Sequence, residues 1–330
     1  MADQSLILLV ITISLALLYS YGNGLNDAAN ALATIVATRV VTPTVAVLMG
    51  GVMNLLGALT GTAVAKTIGK GIVDPEYMTQ AAVMSAILAA VSWVLVATRF
   101  GFPVSVSHSL VAGVLGSGIA TAGVARIDET VVAKVMMALA FSPLLGFAGA
   151  FVFMVILSWI LRNWTRSTAH AVFGKLQIMS AALLAYSHGK NDAQNAVGIM
   201  ALGWAVYYSA DVTVETWMQI SAGLAIGLGT ALGGWRVINT LGTKITRLNP
   251  ASGFTANMAA AAVIEAASNI GLPVSTTHTS SSAIIGVGST RGTSAISFGV
   301  IGGIFGAWIV TYPFCLVVGW ILAKVLGSIL

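Results

Sequence analysis

The sequence predicts an all-α polytopic membrane protein built as two inverted-topology repeats, with broken helices and re-entrant hairpins. Three observations carry that prediction: the composition, a duplicated pair of polar motifs, and the placing of a few basic residues. Of 330 residues, 57% are hydrophobic and 8% are charged, against about 25% charged in an ordinary soluble domain. A water-soluble globule is excluded. The 36 glycines and 7 prolines suit membrane helices that pack closely or break at depth, and they lack any collagen-like period. A spanning helix takes about 20 apolar residues, which leaves room for about ten crossings and no extramembrane domain.

The first apolar segment, 5–21, comes after Met1-Ala2-Asp3-Gln4 rather than a basic n-region, and no small-residue cleavage site stands clear of the polar motif that begins at Gly24. It is expected to be a first membrane helix, not a signal peptide. Further apolar segments cover 43–65, 79–98 and 130–161, the last interrupted by Ser142-Pro143. Two Gly-rich pieces, 22–37 and 101–122, are too polar or too broken for an uninterrupted span, yet apolar enough for membrane depth. They are expected to be broken helices or re-entrant hairpins.

The chain repeats itself. Gly24-Leu25-Asn26-Asp27-Ala28-Ala29-Asn30-Ala31 recurs 165 positions later as Gly189-Lys190-Asn191-Asp192-Ala193-Gln194-Asn195-Ala196. Pro103-Val104-Ser105-Val106-Ser107-His108-Ser109 recurs 170 positions later as Pro273-Val274-Ser275-Thr276-Thr277-His278-Thr279, and Pro313 echoes Pro143 at the same offset. Three matches in order imply a tandem duplication with repeats 1–165 and 166–330. The seam carries Arg162, Arg166 and Lys175, while the N-terminus has no Lys or Arg. The positive-inside rule therefore places the seam in the cytoplasm and the N-terminus outside. Each half then crosses an odd number of times, and the second is inverted, the plan of many secondary transporters. The net charge of +5 is scattered singly, with no basic run to suggest nucleic acid. The single Cys315 rules out an intramolecular disulfide.

On a helix, Asn23, Asn26, Asp27 and Asn30 form one stripe, extended by Thr34, and His188, Asn191, Asp192 and Asn195 form its counterpart. A carboxylate beside amide oxygens, at a glycine-opened break that frees backbone carbonyls, is a hard-oxygen site suited to Na⁺. The plainer alternative is polar glue between helices. Two copies holding the clearly intramembrane Asp residues favour the ion site, because buried ionisable groups are costly.

After Gly101-Phe102-Pro103 and Gly271-Leu272-Pro273 come hydroxyl clusters at predicted helix starts. Ser105, Ser107 and Ser109, repeated as Ser275, Thr276, Thr277 and Thr279, offer with first-turn N–H groups a neutral anion cradle. Ordinary N-capping is the competing reading. His108 and His278 are open as ligands, proton carriers or hinge hydrogen bonds, the last being the plainest. Glu265, whose counterpart is Leu95, is expected either to pair with a cation or to help bind a coupling ion. Lys190 is expected either to neutralise Asp192 or to snorkel to the membrane surface.

The paired G-L-N-D-A-A-N and G-K-N-D-A-Q-N signatures, with the duplicated P-V-S-x-[ST]-H-[ST], resemble the PiT family of inorganic phosphate transporters over essentially the whole chain. The resemblance implies two inverted homologous halves and phosphate carried with Na⁺ or H⁺, some relatives carrying sulfate. It places cation binding on Asn26, Asp27, Asn30, Asn191, Asp192 and Asn195, and the anion on the hydroxyl clusters. The chain departs from longer members in lacking a large central loop, and in having Lys190 and Gln194 in the second motif.

The resulting expectation is a multi-pass symporter of the cell membrane, not an enzyme, that imports phosphate with Na⁺ by alternating access. An H⁺-coupled phosphate or sulfate permease is the alternative, and homo-oligomerisation is open. Phosphate is favoured over sulfate because its P–OH can donate to an acceptor such as Asp27 or Asp192, which sulfate would leave unpaired. A metal importer using His108, His278, Asp27 and Asp192 is disfavoured by the excess of hydroxyls over imidazoles and the absence of thiols from the motifs. An intramembrane hydrolase using Ser107 or Thr277 with His is disfavoured because both halves carry the group. An anion channel would be distinguished by transport insensitive to a cation gradient.

Overall fold

The structure, a computed structural model, describes residues 6–70 and 72–330, and within them every long element is a helix. The first series is α1 (Leu6–Ala37), α2 (Pro43–Ala58), α3 (Ala63–Lys70), α4 (Gln80–Phe100), α5 (Val106–Ala122) and α6 (Glu129–Ile160). The second is α7 (Arg166–Tyr208), α8 (Thr216–Leu232), α9 (Trp235–Asn239), α10 (Pro250–Asn269), α11 (Thr276–Ser289) and α12 (Phe298–Ile329). Each series holds a long first helix, a pair divided by a short break, a helix leading through an extended turn into a shorter one, and a long last helix.

By length and composition α1, α4, α6 and α12 can each cross a membrane, and α2 with α3, bent by 71°, adds a fifth candidate. The outer faces of α6 and α12 carry exposed Leu144, Val152, Ile156, Trp159, Ile309, Val317 and Ile321. These are the faces a membrane protein turns to lipid tails.

Packing across the series is reciprocal: α1 lies on α8 as α7 lies on α2, and α5 lies on α12 as α11 lies on α6. Glycine sets the approach. A Cβ on Gly57 would strike the Tyr186 carbonyl oxygen, and one on Gly229 would strike that of Tyr21. Tyr21 and Tyr186 are separated by the signature offset of 165. Backbone-to-backbone contact of this kind is how membrane helices gain van der Waals contact without a hydrophobic drive.

Three sequence expectations are corrected. Residues 22–37 are not broken: they complete α1, and the matching signature lies inside α7. Several polar side chains there find partners on other helices, and the backbone stays helical through them. Second, the apolar segment 43–65 divides into α2 and α3 at residues 59–62. Third, Pro143 and Pro313 lie inside α6 and α12 without ending them. The break expected at 101–122 is present, because Gly101 ends α4 in the left-handed region at φ 76° and its counterpart Gly271 has φ 73°.

Candidate functional site

The two long signature helices bring Asp27 and Asp192 together at the centre of the molecule, each 1% exposed. The short helices α5 and α11 begin beside them. The Thr277 hydroxyl lies 2.8 Å from Asp27 Oδ1, and the Thr276 hydroxyl lies 3.1 Å from Asp27 Oδ2 and 3.1 Å from Asp192 Oδ2. One hydroxyl has one proton, so Thr276 serves only one carboxylate at a time. Asn23 Nδ2 donates to Asp192 Oδ2 at 3.3 Å, and Asn30 Nδ2 to Thr277 Oγ1 at 3.1 Å.

His188 stands between the carboxylates, its Nε2 3.5 Å from Asp27 Oδ2 and 3.4 Å from Asp192 Oδ2. Its Nδ1 lies 2.6 Å from Asn54 Oδ1, and Asn54 donates in turn to Thr230 Oγ1 at 2.9 Å. That chain fixes Nδ1 as the donor to Asn54. His188 Nε2 then either carries a second proton or turns a lone pair toward a cation.

The centre is rich in acceptors. Asn23 Oδ1, Asn30 Oδ1 and Asn195 Oδ1 are buried without a hydrogen-bond partner, and ligand atoms of Asp27, His188 and Asp192 lie within 4.8 Å of one another. Two carboxylates and three orphaned amide oxygens outnumber the donors facing them. Such a donor set fits a small hard cation held by oxygen.

Several residues singled out in the sequence do not face this cluster. Asn26 Nδ2 donates to Thr98 Oγ1 (2.8 Å) and to the Phe102 carbonyl (3.3 Å), whereas the Asn191 amide, oriented so that both its atoms are satisfied, accepts from Ser268 Oγ at 2.9 Å and donates to the Val274 carbonyl at 3.2 Å and to Asp192 Oδ1 at 3.1 Å, which ties it to the cluster. Both asparagines brace the extended turns that lead into α5 and α11. Ser105 and Ser275 cap those helices, each accepting from a His N–H at 3.1 Å. Ser109 and Thr279 bond back to the carbonyls of Ser105 and Ser275. Thr34 joins Asn257 at 3.0 Å. The side chains of Ser107, Thr276 and Thr277 remain at the centre, and Ser107 accepts from Asn195 at 2.9 Å.

His108 and His278 do not make hinge hydrogen bonds. Their rings meet at a tilt of 39° with centroids 4.6 Å apart, and Trp308 stacks on His278 at 3.8 Å. Lys190 does not neutralise Asp192: it pairs with the partly exposed Glu265 and donates to Asn269 Oδ1 at 2.7 Å. Sequence reasoning left Asn23 and His188 out of the cation set, although both lie on the signature stripes. Asn54 carried no local signal at all.

Residues 23–319 match the Phosphate transporter family. Among similar proteins is a "Probable low-affinity inorganic phosphate transporter" of Rhizobium meliloti, 42% identical over 93% of this chain and 92% of the relative. One of Bacillus subtilis, described in the same words, is 38% identical over 99% of both chains. A solved structure described as "The sodium-dependent phosphate transporter" superposes with a TM-score of 0.91 at 27% identity, covering 98% of this chain and all of the other.

Proposed function

The chain belongs to the phosphate transporter family, and from that premise we propose that it is a Na⁺-driven phosphate symporter working by alternating access across the cell membrane. The observation that carries the reading is the acceptor-rich cluster of Asp27, Asp192, Asn23, Asn30 and Asn195, set directly against the starts of α5 and α11. A phosphate dianion entering a medium of low dielectric is prohibitively costly unless cations accompany it. The carboxylates and amide oxygens hold Na⁺. The hydroxyl of Ser107, those of Thr276 and Thr277 once turned away from the carboxylates, and first-turn N–H groups hold the anion. Each ligand then raises the affinity for the other, which is the thermodynamic content of symport.

In this reading Asp27, Asp192, Asn30 and Asn195 keep the cation role, with Asn23 and His188 added. Asn26 acts one step back, by positioning the turn into α5, while Asn191 both braces the turn into α11 and holds Asp192 Oδ1. Residues 1–165 and 166–330 are the inverted repeats, and the reciprocal packing of α1 on α8 and α7 on α2 supports a two-fold relation between them. Rocking one bundle about the shared centre would expose it to either side in turn. A second reading, H⁺ coupling, is favoured by His188 Nε2, since a proton there supplies positive charge between the same two carboxylates.

The test is uptake of radiolabelled phosphate into vesicles containing the purified chain. An inward Na⁺ gradient should drive accumulation, which a Na⁺ ionophore collapses. Excess arsenate should compete well and excess sulfate barely, because arsenate keeps a proton at neutral pH and sulfate has none. Uptake indifferent to Na⁺ but driven by a proton gradient selects the second reading. Uptake indifferent to both overturns symport.

A further inference from the structure

The gap between α6 and α10 is not filled by this chain's own side chains. It forms a slot of about 720 Å³, walled by Lys134, Phe141 and Leu145 on one side and Val263, Ala266 and Ile270 on the other. The counterpart gap, between α12 and α4, is only about 250 Å³. The difference lies in particular residues. Trp93 bridges the smaller gap, donating from Nε1 to Thr311 Oγ1 at 2.8 Å and meeting the Phe314 ring at 4.7 Å. At the positions 170 residues away these are Val263, Phe141 and Leu144, and Phe100 and Trp308 are matched by Ile270 and Ala138.

We propose that the slot between α6 and α10 binds one acyl chain of an anionic phospholipid, with Lys134 holding the lipid phosphate. An apolar slot in contact with a bilayer is filled by the tails around it, since lipid is as apolar as the walls. The basic rim selects which lipid. Lys134 lies in the second turn of α6, is exposed, and has no ion-pair partner among the described residues. Its counterpart at the smaller gap is Ile304. From Lys134 to Gly149, the furthest α6 residue of the wall, the helix rises about 22 Å. That exceeds the depth of one leaflet, about 15 Å of hydrocarbon, so a tail anchored at Lys134 occupies about the first two thirds of the slot. A zwitterionic lipid would leave the charge of Lys134 only partly compensated. The inner wall includes Leu272 and Val274, part of the turn that leads to Thr276 and Thr277. A bound tail therefore braces the hairpin that carries half of the central hydroxyls.

Native mass spectrometry of the purified full chain with phosphatidylglycerol and phosphatidylcholine tests the proposal. One phosphatidylglycerol should be retained per chain, with a preference over phosphatidylcholine of about five-fold, the worth of one Lys near an anionic headgroup. Lys134→Gln should erase the preference while both lipids still bind. Val263→Trp, which plugs the slot as Trp93 plugs its counterpart, should lose retained lipid of both kinds, and Ala266→Phe, a smaller plug, should do the same. An unchanged preference in Lys134→Gln overturns the proposal, as does full retention in both plugged variants. A doubled mass that the plugs abolish assigns the slot to a second copy, and equally overturns it.

Discussion

The Thr277 hydroxyl lies 2.8 Å from Asp27 Oδ1 across 250 positions of sequence, fully inside the molecule, with the Val104 carbonyl at 3.0 Å as its other acceptor. The contact joins the signature of the first series to the hairpin of the second. Asn195 returns the exchange by donating to Ser107 at 2.9 Å. Neither series completes a site alone. A centre shared in this way feels any rotation of one bundle against the other, which is what coupling ion binding to movement requires.

Asp27→Asn and Asp192→Asn should each abolish Na⁺-driven phosphate accumulation while leaving folded protein in the membrane. The amide keeps the shape and removes the charge that balances the cation. Uptake in vesicles, read beside the elution profile of the purified variants, checks this, and near-native uptake in both would remove the carboxylates from the mechanism.

Thr277→Val should lower uptake by about ten-fold or more, because Asp27 Oδ1 loses a buried donor, and a charged group left short costs about 1–3 kcal/mol. Thr277→Ser should recover most of it. Equal losses in the two variants would point to packing of the methyl group instead.

Gly57→Ala and Gly229→Ala should both destabilise the fold by at least about 1–3 kcal/mol, the usual penalty of overpacking. Each new methyl meets a backbone carbonyl that cannot swing aside. Gly306→Ala, with open space around it, should be neutral. Thermal midpoints of the three variants in detergent make the comparison.

Lys190→Leu should destabilise by about 1–2 kcal/mol, less than a fully buried pair would lose, since the Lys190 and Glu265 side chains are 13% and 32% exposed. The double change Lys190→Leu with Glu265→Leu should regain most of that loss, because Leu25 and Leu95 already hold the counterpart positions. A double variant as weak as the single one, by the same thermal measurement, would mean that the pair does more than cancel charge.

Single cysteines introduced at residues 163–170 should be labelled from the cytoplasmic side, and those near both termini from the outside, while the buried native Cys315 stays silent. Termini on the same side as the seam would refute inversion.

The class of protein and the doubling of its motifs were legible in the sequence, because composition and a motif written twice are properties of the chain alone. Partnership was not. Asn54 orients His188, and Thr98 and Ser268 meet Asn26 and Asn191 at equivalent places 170 residues apart. None of these three stands within a motif. The signature helices were expected to open at their glycines and instead run on unbroken. Most of the hydroxyls read as an anion cradle, Ser105, Ser109, Ser275 and Thr279, are spent on capping and bonding their own helices. Local sequence sets what a side chain can donate or accept. Which group it meets is settled only when helices hundreds of residues apart pack, and here glycine allows them close enough for those side chains to reach one another.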